Sequence, residues 1–310
     1  MAKSYLGIEI GGTKLQLVTG DADAIQTRHR FDVDRAKGAE GIRGQIEAAL
    51  GRILSASAPV AIAVGFGGPV DYRSGRIARS HQIGGWADFD LRQWLQQLTG
   101  KPVRVDNDAN MGALGEASRG AGVGFDPVFY VTLGSGVGGG LVVGRGVYHG
   151  ATPGEAEIGH VRLERTGATV ESRCSGWAVD AKVRELKASG SKSLLYQLAG
   201  AHAGGEAKHL APALAQGDTA ARKILTETAD DLAFGLSHVV HLFHPKVIVL
   251  GGGLALVGEP LRAEVARALE GYTMDAFRGG VQVRLAALGE DAVPMGCLIA
   301  AEALASAEGA

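Results

Sequence analysis

The sequence predicts an α/β protein made of two similar halves. Apolar strand-like runs alternate with amphipathic helix-like segments through both halves, which is typical of α/β layers. Each half begins with two apolar strands that flank a tip of small residues, Gly11-Gly12-Thr13 in the first half and Gly134-Ser135-Gly136 in the second. We interpret the matching hairpins as a weak internal repeat, with its boundary near Gly120.

The composition fits a globular protein that holds its ligands by local contacts. With 46% apolar and 21% charged residues, the 310-residue chain can bury cores for two domains. A formal net charge of -2 gives no electrostatic footprint for nucleic acid or an anionic membrane. No apolar run approaches the roughly 20 residues of a membrane span, and two cysteines form no disulfide framework. We therefore expect a cytoplasmic protein.

The first half reads as an ordered series of strands and helices. Tyr5–Ile10 and Lys14–Thr19 form the first hairpin, because the apolar alternation resumes directly after the glycines. Apolar residues at helical spacing or in short buried runs predict three more elements: a helix over Gly41–Ser57, a strand over Val60–Val64 and a helix over Leu91–Leu98.

A strand that ends in three polar residues is the centre of the first half. Val103–Val105 predicts a buried strand, Asp106-Asn107-Asp108 follow it, and helix-forming residues occupy Met111–Arg119. Open α/β sheets bind ligands where the carboxyl end of a strand meets a helix N-terminus. Asn and Asp are also preferred helix caps, so this stretch alone leaves a ligand site and a simple cap both open.

The second half repeats the strand–helix alternation. Val128–Leu133 and Val137–Val143 form its hairpin, and the later elements are helices over Ser193–Leu214, Thr219–Phe243 and Val293–Ala305, with a strand over Lys246–Leu250 that ends at Gly251-Gly252-Gly253. We predict a smaller domain of residues 1–119 plus 292–310, with the last helix packed back onto it. Residues 120–291 form a larger domain.

The glycine tips are candidate phosphate-binding loops. Gly134-x-Gly136-x-x-Gly139 matches the dinucleotide fingerprint only formally, because strand residues follow it where a helix is required. Backbone N–H groups at glycine tips can face a polyphosphate, and Thr13 and Lys14 add a hydroxyl and a charge. Plain turns are the competing interpretation for either tip alone. Two matching tips and a strand that ends in three glycines favour a nucleotide.

Four motifs in this order resemble the ROK family of sugar kinases and repressors, over nearly the whole chain. They are Gly7-Ile8-Glu9-Ile10-Gly11-Gly12-Thr13-Lys14, Asp106-Asn107-Asp108-Ala109-Asn110, Thr132-Leu133-Gly134-Ser135-Gly136-Val137-Gly138-Gly139-Gly140 and Gly154-Glu155-Ala156-Glu157-Ile158-Gly159-His160. The resemblance implies two ribonuclease-H-like domains of the actin-like ATPase and hexokinase type, with an interdomain cleft. It further implies transfer of the γ-phosphoryl group of ATP to a hexose, a requirement for Mg²⁺, and a homodimer.

The resemblance also implies roles for individual residues. Asp108 is the base that accepts the proton of the attacking hydroxyl, and Asn107 binds the sugar. Asp106 carries over no role, and we expect it to cap the helix. Glu9 stands where many members have Asp and is expected to orient Mg²⁺ or the γ-phosphate. The remaining nucleotide-binding residues are Gly11, Gly12, Thr13, Lys14, Gly134, Ser135, Gly136 and, at the adenosine, Gly251, Gly252 and Gly253.

The predicted sugar ligands after the second hairpin are Glu157, His160 and Glu171. Glu157 and His160 lie three residues apart, so a helical turn places them on one face. Gly68 is expected to place a backbone amide near the sugar, although Gly67 stands beside it where the family usually has Pro.

The chain departs from the family at its zinc site. Most members carry three cysteines after the histidine that corresponds to His160, and those positions here are Arg162, Glu164 and Thr169. Tetrahedral zinc cannot be built from these side chains, so we predict no structural zinc and expect packing around Trp177 to replace it. Histidines at 238, 241 and 244 drift around a helix, which disfavours a metal there as well.

Two alternatives remain open at this stage. A sugar-responsive repressor would carry a helix-turn-helix before the first hairpin, and only four residues precede Tyr5, so we expect no DNA binding. A sugar-binding regulator without kinase activity is the other alternative. Within the kinase interpretation, the sugar is glucose or a relative such as fructose, allose or an N-acetylhexosamine.

Overall fold

A computed structural model describes residues 3–78, 83–152, 154, 156–188, 190, 192–200 and 203–308. The chain forms two compact units. One contains Met1–Val123, Arg145–Glu155 and Glu290–Ala310, and the other contains Gly124–Gly144 and Ala156–Gly289. The predicted domains, residues 1–119 plus 292–310 and residues 120–291, stay a prediction. By its contacts, the segment Arg145–Glu155 groups with the first unit.

The strands in chain order are β1 (Tyr5–Ile10), β2 (Lys14–Gly20), β3 (Ile25–Asp32), β4 (Ile62–Phe66), β5 (Val70–Asp71), β6 (Arg76–Ile77), β7 (Val103–Asn107), β8 (Val128–Leu133), β9 (Val137–Val143), β10 (Gly146–Val147), β11 (Val247–Gly251) and β12 (Gln282–Leu285). The α-helices are α1 (Gly38–Ser57), α2 (Leu91–Thr99), α3 (Asp108–Arg119), α4 (Val170–Cys174), α5 (Gly176–Ala188), α6 (Leu194–Ala199), α7 (Leu210–Ala215), α8 (Thr219–Phe243), α9 (Glu259–Tyr272) and α10 (Ala292–Glu308).

The first unit is built on a five-stranded sheet with the order β3-β2-β1-β4-β7. β1, β2 and β3 pair antiparallel, whereas β1, β4 and β7 are parallel. Side chains such as Leu6 and Ile8 pack toward α1 and α2 on one face. Tyr5 and Val18 pack on the other face, in a cluster shared with α3 and α10. Because both faces are covered, the central strands are almost continuously apolar.

α3 and α10 cross at two glycines. A Cβ at Gly296 would lie 1.8 Å from the carbonyl oxygen of Met111, and one at Gly115 would lie 2.2 Å from that of Ala292. Side chains at these positions would force the helices apart, so the contact requires glycine on both helices. The crossing fixes α3 against the last helix of the chain.

In the second unit the strands lie in the order β9-β8-β11-β12. β9 and β8 pair antiparallel, whereas β8, β11 and β12 are parallel. Its core joins β8 and β11 to the long helix α8 through buried side chains including Leu133, Leu250 and Leu236. A hairpin followed by two parallel strands therefore occurs in both units, as β2-β1-β4-β7 and β9-β8-β11-β12. This equivalence confirms the internal repeat inferred from the two glycine tips.

The structure contains elements that the sequence did not predict, and it divides one that was predicted. The additional strands are β3, β5, β6, β10 and β12, and the additional helices are α4, α5 and α9; β3 is a polar edge strand whose side chains are all partly or fully exposed. The helix predicted over Ser193–Leu214 is wrong, because Gly200 ends α6 at a φ of 65° and α7 begins only at Leu210. By contrast, α8 has the predicted bounds. Among the described residues, every helix is too short or too polar to cross a membrane.

Candidate active site

Three loops of the first unit meet at one edge of its sheet. In the parallel register of β1, β4 and β7, Ile10 lies beside Phe66, and Phe66 lies beside Asn107. The loops that leave these strand ends carry Gly11–Lys14, Gly67-Gly68 and Asp108. Residues predicted from separate motifs for phosphate, sugar and proton transfer are therefore neighbours at the carboxyl edge of the sheet.

Gly67 is the contact between these loops. Its N–H donates to the carbonyl of Ile10 at 2.8 Å, a bond that Pro could not make. A Cβ at Gly67 would lie 3.3 Å from Oδ2 of Asp108 and 3.6 Å from Cα of Gly11. A side chain at Gly67 would therefore crowd both the half-buried Asp108 carboxylate and the backbone of the first hairpin.

Asn107, rather than Asp106, caps α3, which corrects the expectation from the sequence. Asn107 has extended backbone angles (φ -68°, ψ 148°), and its Oδ1 accepts from the N–H groups of Ala109 and Asn110 at 2.8 and 3.3 Å. Its Nδ2 donates to the carbonyl of Gly68 at 3.1 Å, while the Gly68 N–H donates to Phe66. The cap therefore joins the start of α3 to the loop after β4.

Asp106 is a buried carboxylate with two basic neighbours that the motifs did not indicate. Burial by itself would raise the pKa of Asp106, but the hydrogen bond and charge of His149, together with Arg104 and Asn110, outweigh it and lower the pKa. Arg104 precedes Asp106 on β7, and His149 lies in the segment after β10. The sequence could not identify Arg104 as a partner of Asp106, because a basic residue two positions before an acidic one is a common pattern.

The first hairpin tip presents one acidic and two basic side chains. Gly11 N–H donates to the carbonyl of Lys14 at 2.9 Å, which closes the turn. Nζ of Lys14 lies 3.2 Å from Oε1 of Glu9, and Gln16 donates to the other Glu9 oxygen. Nε of Arg35 donates to the carbonyl of Gly12 at 3.0 Å. Arg35 is a further cation at this tip that no motif marked.

These side chains fit a magnesium–polyphosphate ligand. Carboxylate oxygens such as those of Glu9 are the donors that Mg²⁺ prefers, directly or through water. Lys14 and Arg35 bring positive charge to the backbone that is predicted to face phosphate. The Glu9–Lys14 ion pair is mostly shielded from solvent, since the side chains are 12% and 21% exposed. The donor set therefore suits the group that the resemblance implies.

The second hairpin tip is packed against the glycines that end β11. Gly134 N–H donates to the carbonyl of Gly136 at 2.9 Å, and Gly251 pairs with Thr132 in the sheet. Gly252 has a φ of 80°, and a Cβ there would lie 2.6 Å from the backbone of Leu133. Gly252 is thus fixed as glycine by both conformation and space, and the predicted adenosine loop lies beside the predicted phosphate loop.

Glu171 connects this tip to the predicted sugar ligands. Its Oε2 accepts from the N–H of Val137 at 2.9 Å, and a Cβ on Gly136 would lie 2.4 Å from the same oxygen. Glu157 and His160 are exposed at the two ends of a 3₁₀ turn whose Gly159 packs against the carbonyl of Val137. The second unit therefore brings Glu171 and the turn that carries His160 to the start of β9.

A short hairpin occupies the place of the family's zinc loop. Val170 N–H donates to Val161 at 3.0 Å, Leu163 N–H donates to Ala168 at 2.9 Å, and Thr169 begins α4 with a capping box. Val170 packs onto Gly235 of α8 at a distance that a Cβ there would forbid. Val170 is fully buried and anchors the loop, whereas Trp177 is 51% exposed. The expected packing around Trp177 stays a prediction.

The candidate metal ligands have other partners. His241 accepts from the N–H of Met274 at 3.1 Å, and His244 stacks on Phe277 with ring centroids 4.0 Å apart. Cys174 and Cys297 are both buried. Within the described ranges, no group of three His, Cys, Asp or Glu side chains is arranged to hold a metal ion. The absence of structural zinc stays a prediction.

Comparison with known proteins agrees with this geometry. The chain matches the model of the ROK family over residues 5–304. It is 32% identical to a glucokinase from Thermotoga maritima, over 94% of this chain and 95% of that protein. It is 25% identical to a putative xylose repressor from Caldicellulosiruptor sp., over 94% of this chain and 76% of the repressor.

A solved structure extends the likeness to three dimensions. The ROK family glucokinase from Streptomyces griseus, crystallised in complex with glucose and AMPPNP, has a TM-score of 0.86 and 30% identity to this chain. The alignment covers 97% of this chain and 99% of the glucokinase. The predicted actin-like α/β fold is confirmed by this match, and the chain belongs to the ROK family.

Proposed function

We propose that this protein is an ATP-dependent sugar kinase that transfers the γ-phosphoryl group to a hydroxyl of a hexose, with glucose as the first candidate. The observation that carries the proposal is the position of Asp108, at the carboxyl edge of the sheet and against Gly67 and the first glycine tip. The relatives named glucokinase support the same activity.

Asp108 is the proposed base. As the sugar oxygen bonds to the γ-phosphorus, the bond between that phosphorus and the bridging oxygen of ADP breaks, and the hydroxyl proton passes to the Asp108 carboxylate. The first turn of α3, capped by Asn107, holds Asp108 at the end of β7. We assign Asn107, Glu157, His160 and Glu171, with the Gly68 backbone, to the sugar hydroxyls.

We assign the phosphates of ATP to the glycine tips that each unit carries, and the adenosine to Gly251–Gly253. Lys14 and Arg35 bring positive charge to the first tip, and Glu9 is the proposed ligand of Mg²⁺. Mg²⁺, when bound, would neutralise charge on the phosphate oxygens. The protein's own residues accept the proton, orient the sugar and make the backbone contacts with ATP.

A coupled assay of ADP release with ATP and Mg²⁺ tests the proposal. The sugar panel contains glucose, mannose, fructose, allose and N-acetylated hexosamines. We expect at least one sugar to stimulate turnover, and Asp108→Asn to lower kcat by about 10²- to 10⁴-fold because the proton acceptor is lost. Asp23→Asn is the matched control, since its side chain is 83% exposed in the same unit and, among the described residues, takes part only in a surface ion pair with Arg119.

The kinase interpretation is wrong if no sugar stimulates turnover and the wild-type and Asp108→Asn proteins behave alike. Calorimetry then separates the alternatives, because sugar binding without turnover identifies a sugar-binding regulator. The resemblance also supports a homodimer and a cytoplasmic location as further proposals, and light scattering of the purified chain measures the first.

A further inference from the structure

Asp106 is a buried acid to which the proposed mechanism gives no task. It precedes the cap Asn107 and the proposed base Asp108 by one and two residues, and its side chain is 1% exposed. Burying a carboxylate is unfavourable unless its oxygens are hydrogen-bonded and its charge is balanced. The contacts of its two oxygens show where that balance comes from.

One oxygen holds the start of α3. Oδ1 of Asp106 accepts from the N–H of Asn107 at 2.9 Å and from Nδ2 of Asn110 at 3.0 Å. The first bond fixes the backbone of the cap residue, and the second reaches the first turn of the helix. Asp108 lies between these two anchor points, so its backbone has little freedom to rotate.

The other oxygen faces two basic side chains. Nη2 of Arg104 lies 3.0 Å from Oδ2 of Asp106, and Nε2 of His149 lies 2.9 Å from it. Because a carboxylate only accepts, Nε2 of His149 must carry the proton. The His149 ring is 10% exposed and stacks on Tyr72, with ring centroids 3.7 Å apart and planes 16° apart.

A second buried acid, on α3 itself, serves for comparison. Glu116 is fully buried near the other end of α3, where its Oε2 accepts from the N–H of Ala121 at 2.8 Å. This hydrogen bond shapes the turn that follows the helix. Asp106, by contrast, directs one oxygen to the two residues that flank the proposed base and the other oxygen to Arg104 and His149.

We propose that Asp106, held by His149 and Arg104, is a positioning residue for Asp108. Its carboxylate fixes the strand–helix junction so that the Asp108 side chain keeps one orientation toward the sugar hydroxyl. This inference rests on the proposed function for its catalytic meaning. His149 acts through the same oxygen, and the stack on Tyr72 sets the plane of its ring.

Asp106→Asn is the first test, because an amide of the same size cannot accept on both sides. Its NH₂ must face either the donors of Asn107 and Asn110 or those of Arg104 and His149. We expect kcat to fall by about 10- to 100-fold, since a small misplacement of a reacting group has effects of this size. The KM for ATP should stay within about threefold, because the proposed ATP ligands lie outside this strand–helix junction.

His149→Phe is the second test, because it keeps a ring on Tyr72 and removes the hydrogen bond to Asp106. We expect kcat to fall by about 5- to 30-fold. The kcat of the double variant should be no more than about threefold below that of Asp106→Asn, because both changes act on the same hydrogen bond between His149 and residue 106. Glu116→Gln is the matched control, with kcat within about threefold of the wild type even if its Tm falls.

Hydrogen exchange gives a readout that does not need activity. In Asp106→Asn, amides at 109–111 should exchange at least about tenfold faster than in the wild type, with amides at 117–119 unchanged. The proposal is overturned if these amides keep their protection, if kcat is unchanged, or if Glu116→Gln lowers kcat equally. If the wild type never phosphorylates a sugar, the proposed function fails, and exchange in His149→Phe and Asp106→Asn still decides the positioning claim.

Discussion

Asp106, Asn107 and Asp108 are adjacent in the sequence but have three different environments. The sequence marks the cluster because polar residues end a buried strand, yet it does not assign the cap. That assignment depends on the backbone angles of Asn107, which place the start of α3 one residue later than a cap at Asp106 would. His149 lies 43 residues away from Asp106, so no local pattern could indicate their contact.

The buried carboxylate of Asp106 makes stability depend on pH. Its pKa is lowered in the folded protein from an unfolded value near 3.8. The stability that it contributes is therefore complete above that value and is lost as the pH falls through the folded pKa. Asp106→Asn should cost about 2–4 kcal/mol of unfolding free energy at pH 7, because two basic groups lose their anion.

Urea unfolding at pH 7, 5 and 3.5 measures this effect. The difference between wild type and Asp106→Asn should be constant from pH 7 to 5 and smaller at pH 3.5. Asp23→Asn should stay within about 1 kcal/mol of the wild type at every pH, because the interaction that it removes is an ion pair with Arg119 at the surface. A difference that grows as the pH falls would contradict the lowered pKa.

At the scale of elements, the helix crossing of α3 and α10 supports the candidate site. Both helices were predicted, α3 from its helix-forming residues and α10 from its apolar residues, and the last helix was predicted to pack back onto the first half. The crossing at Gly115 and Gly296 was not predicted, because a glycine in a helix more often marks low propensity than close packing. Only the backbone distances show that a methyl group does not fit.

Gly296→Ala tests the crossing. The new Cβ would meet the carbonyl of Met111 at 1.8 Å, so we expect α3 and α10 to separate and the unfolding free energy to fall by about 2–3 kcal/mol. Gly51→Ala on α1 is the matched control, since no heavy atom lies within 4 Å of its Cβ position.

The control should gain up to about 1 kcal/mol from the higher helix propensity of alanine. Thermal unfolding of both variants, followed by circular dichroism, should therefore shift Tm in opposite directions. Equal or higher stability of Gly296→Ala would show that the helices cross elsewhere.

At the scale of the whole molecule, the fold was predictable because the same local pattern occurs twice. Glycine tips, flanking strands and a following parallel strand repeat in both units, and central strands buried on both faces are apolar throughout. β3 escaped prediction because an edge strand keeps charged side chains in solvent, such as Arg28 and Arg30. The hairpin that replaces the zinc loop was not predicted, because Gly235, against which Val170 packs, lies 65 residues further along the chain.

The protein should need no structural metal. Burial raises the pKa of Cys174 to about 12 and that of Cys297 well above its usual value, whereas a zinc ligand must be a thiolate. We expect less than about 0.1 zinc per chain by mass spectrometry and a Tm that moves by less than about 1 °C in EDTA.

Thr169→Ala provides the matched control for that measurement. It removes the capping box of α4 and should cost about 1 kcal/mol with or without EDTA. Stoichiometric zinc, or a fall in Tm on chelation, would contradict the metal-free loop.

The position of α10 also has a consequence for synthesis on the ribosome. The cluster that covers one face of the first sheet joins Met111 and Leu114 to Leu298 and Ala301, from opposite ends of the chain. Residues up to 123 leave the ribosome long before residues 290–310 do, and the second unit emerges between them. Nascent chains therefore carry an uncovered apolar face beside α3 until translation is nearly complete, and the unit that begins first is finished last.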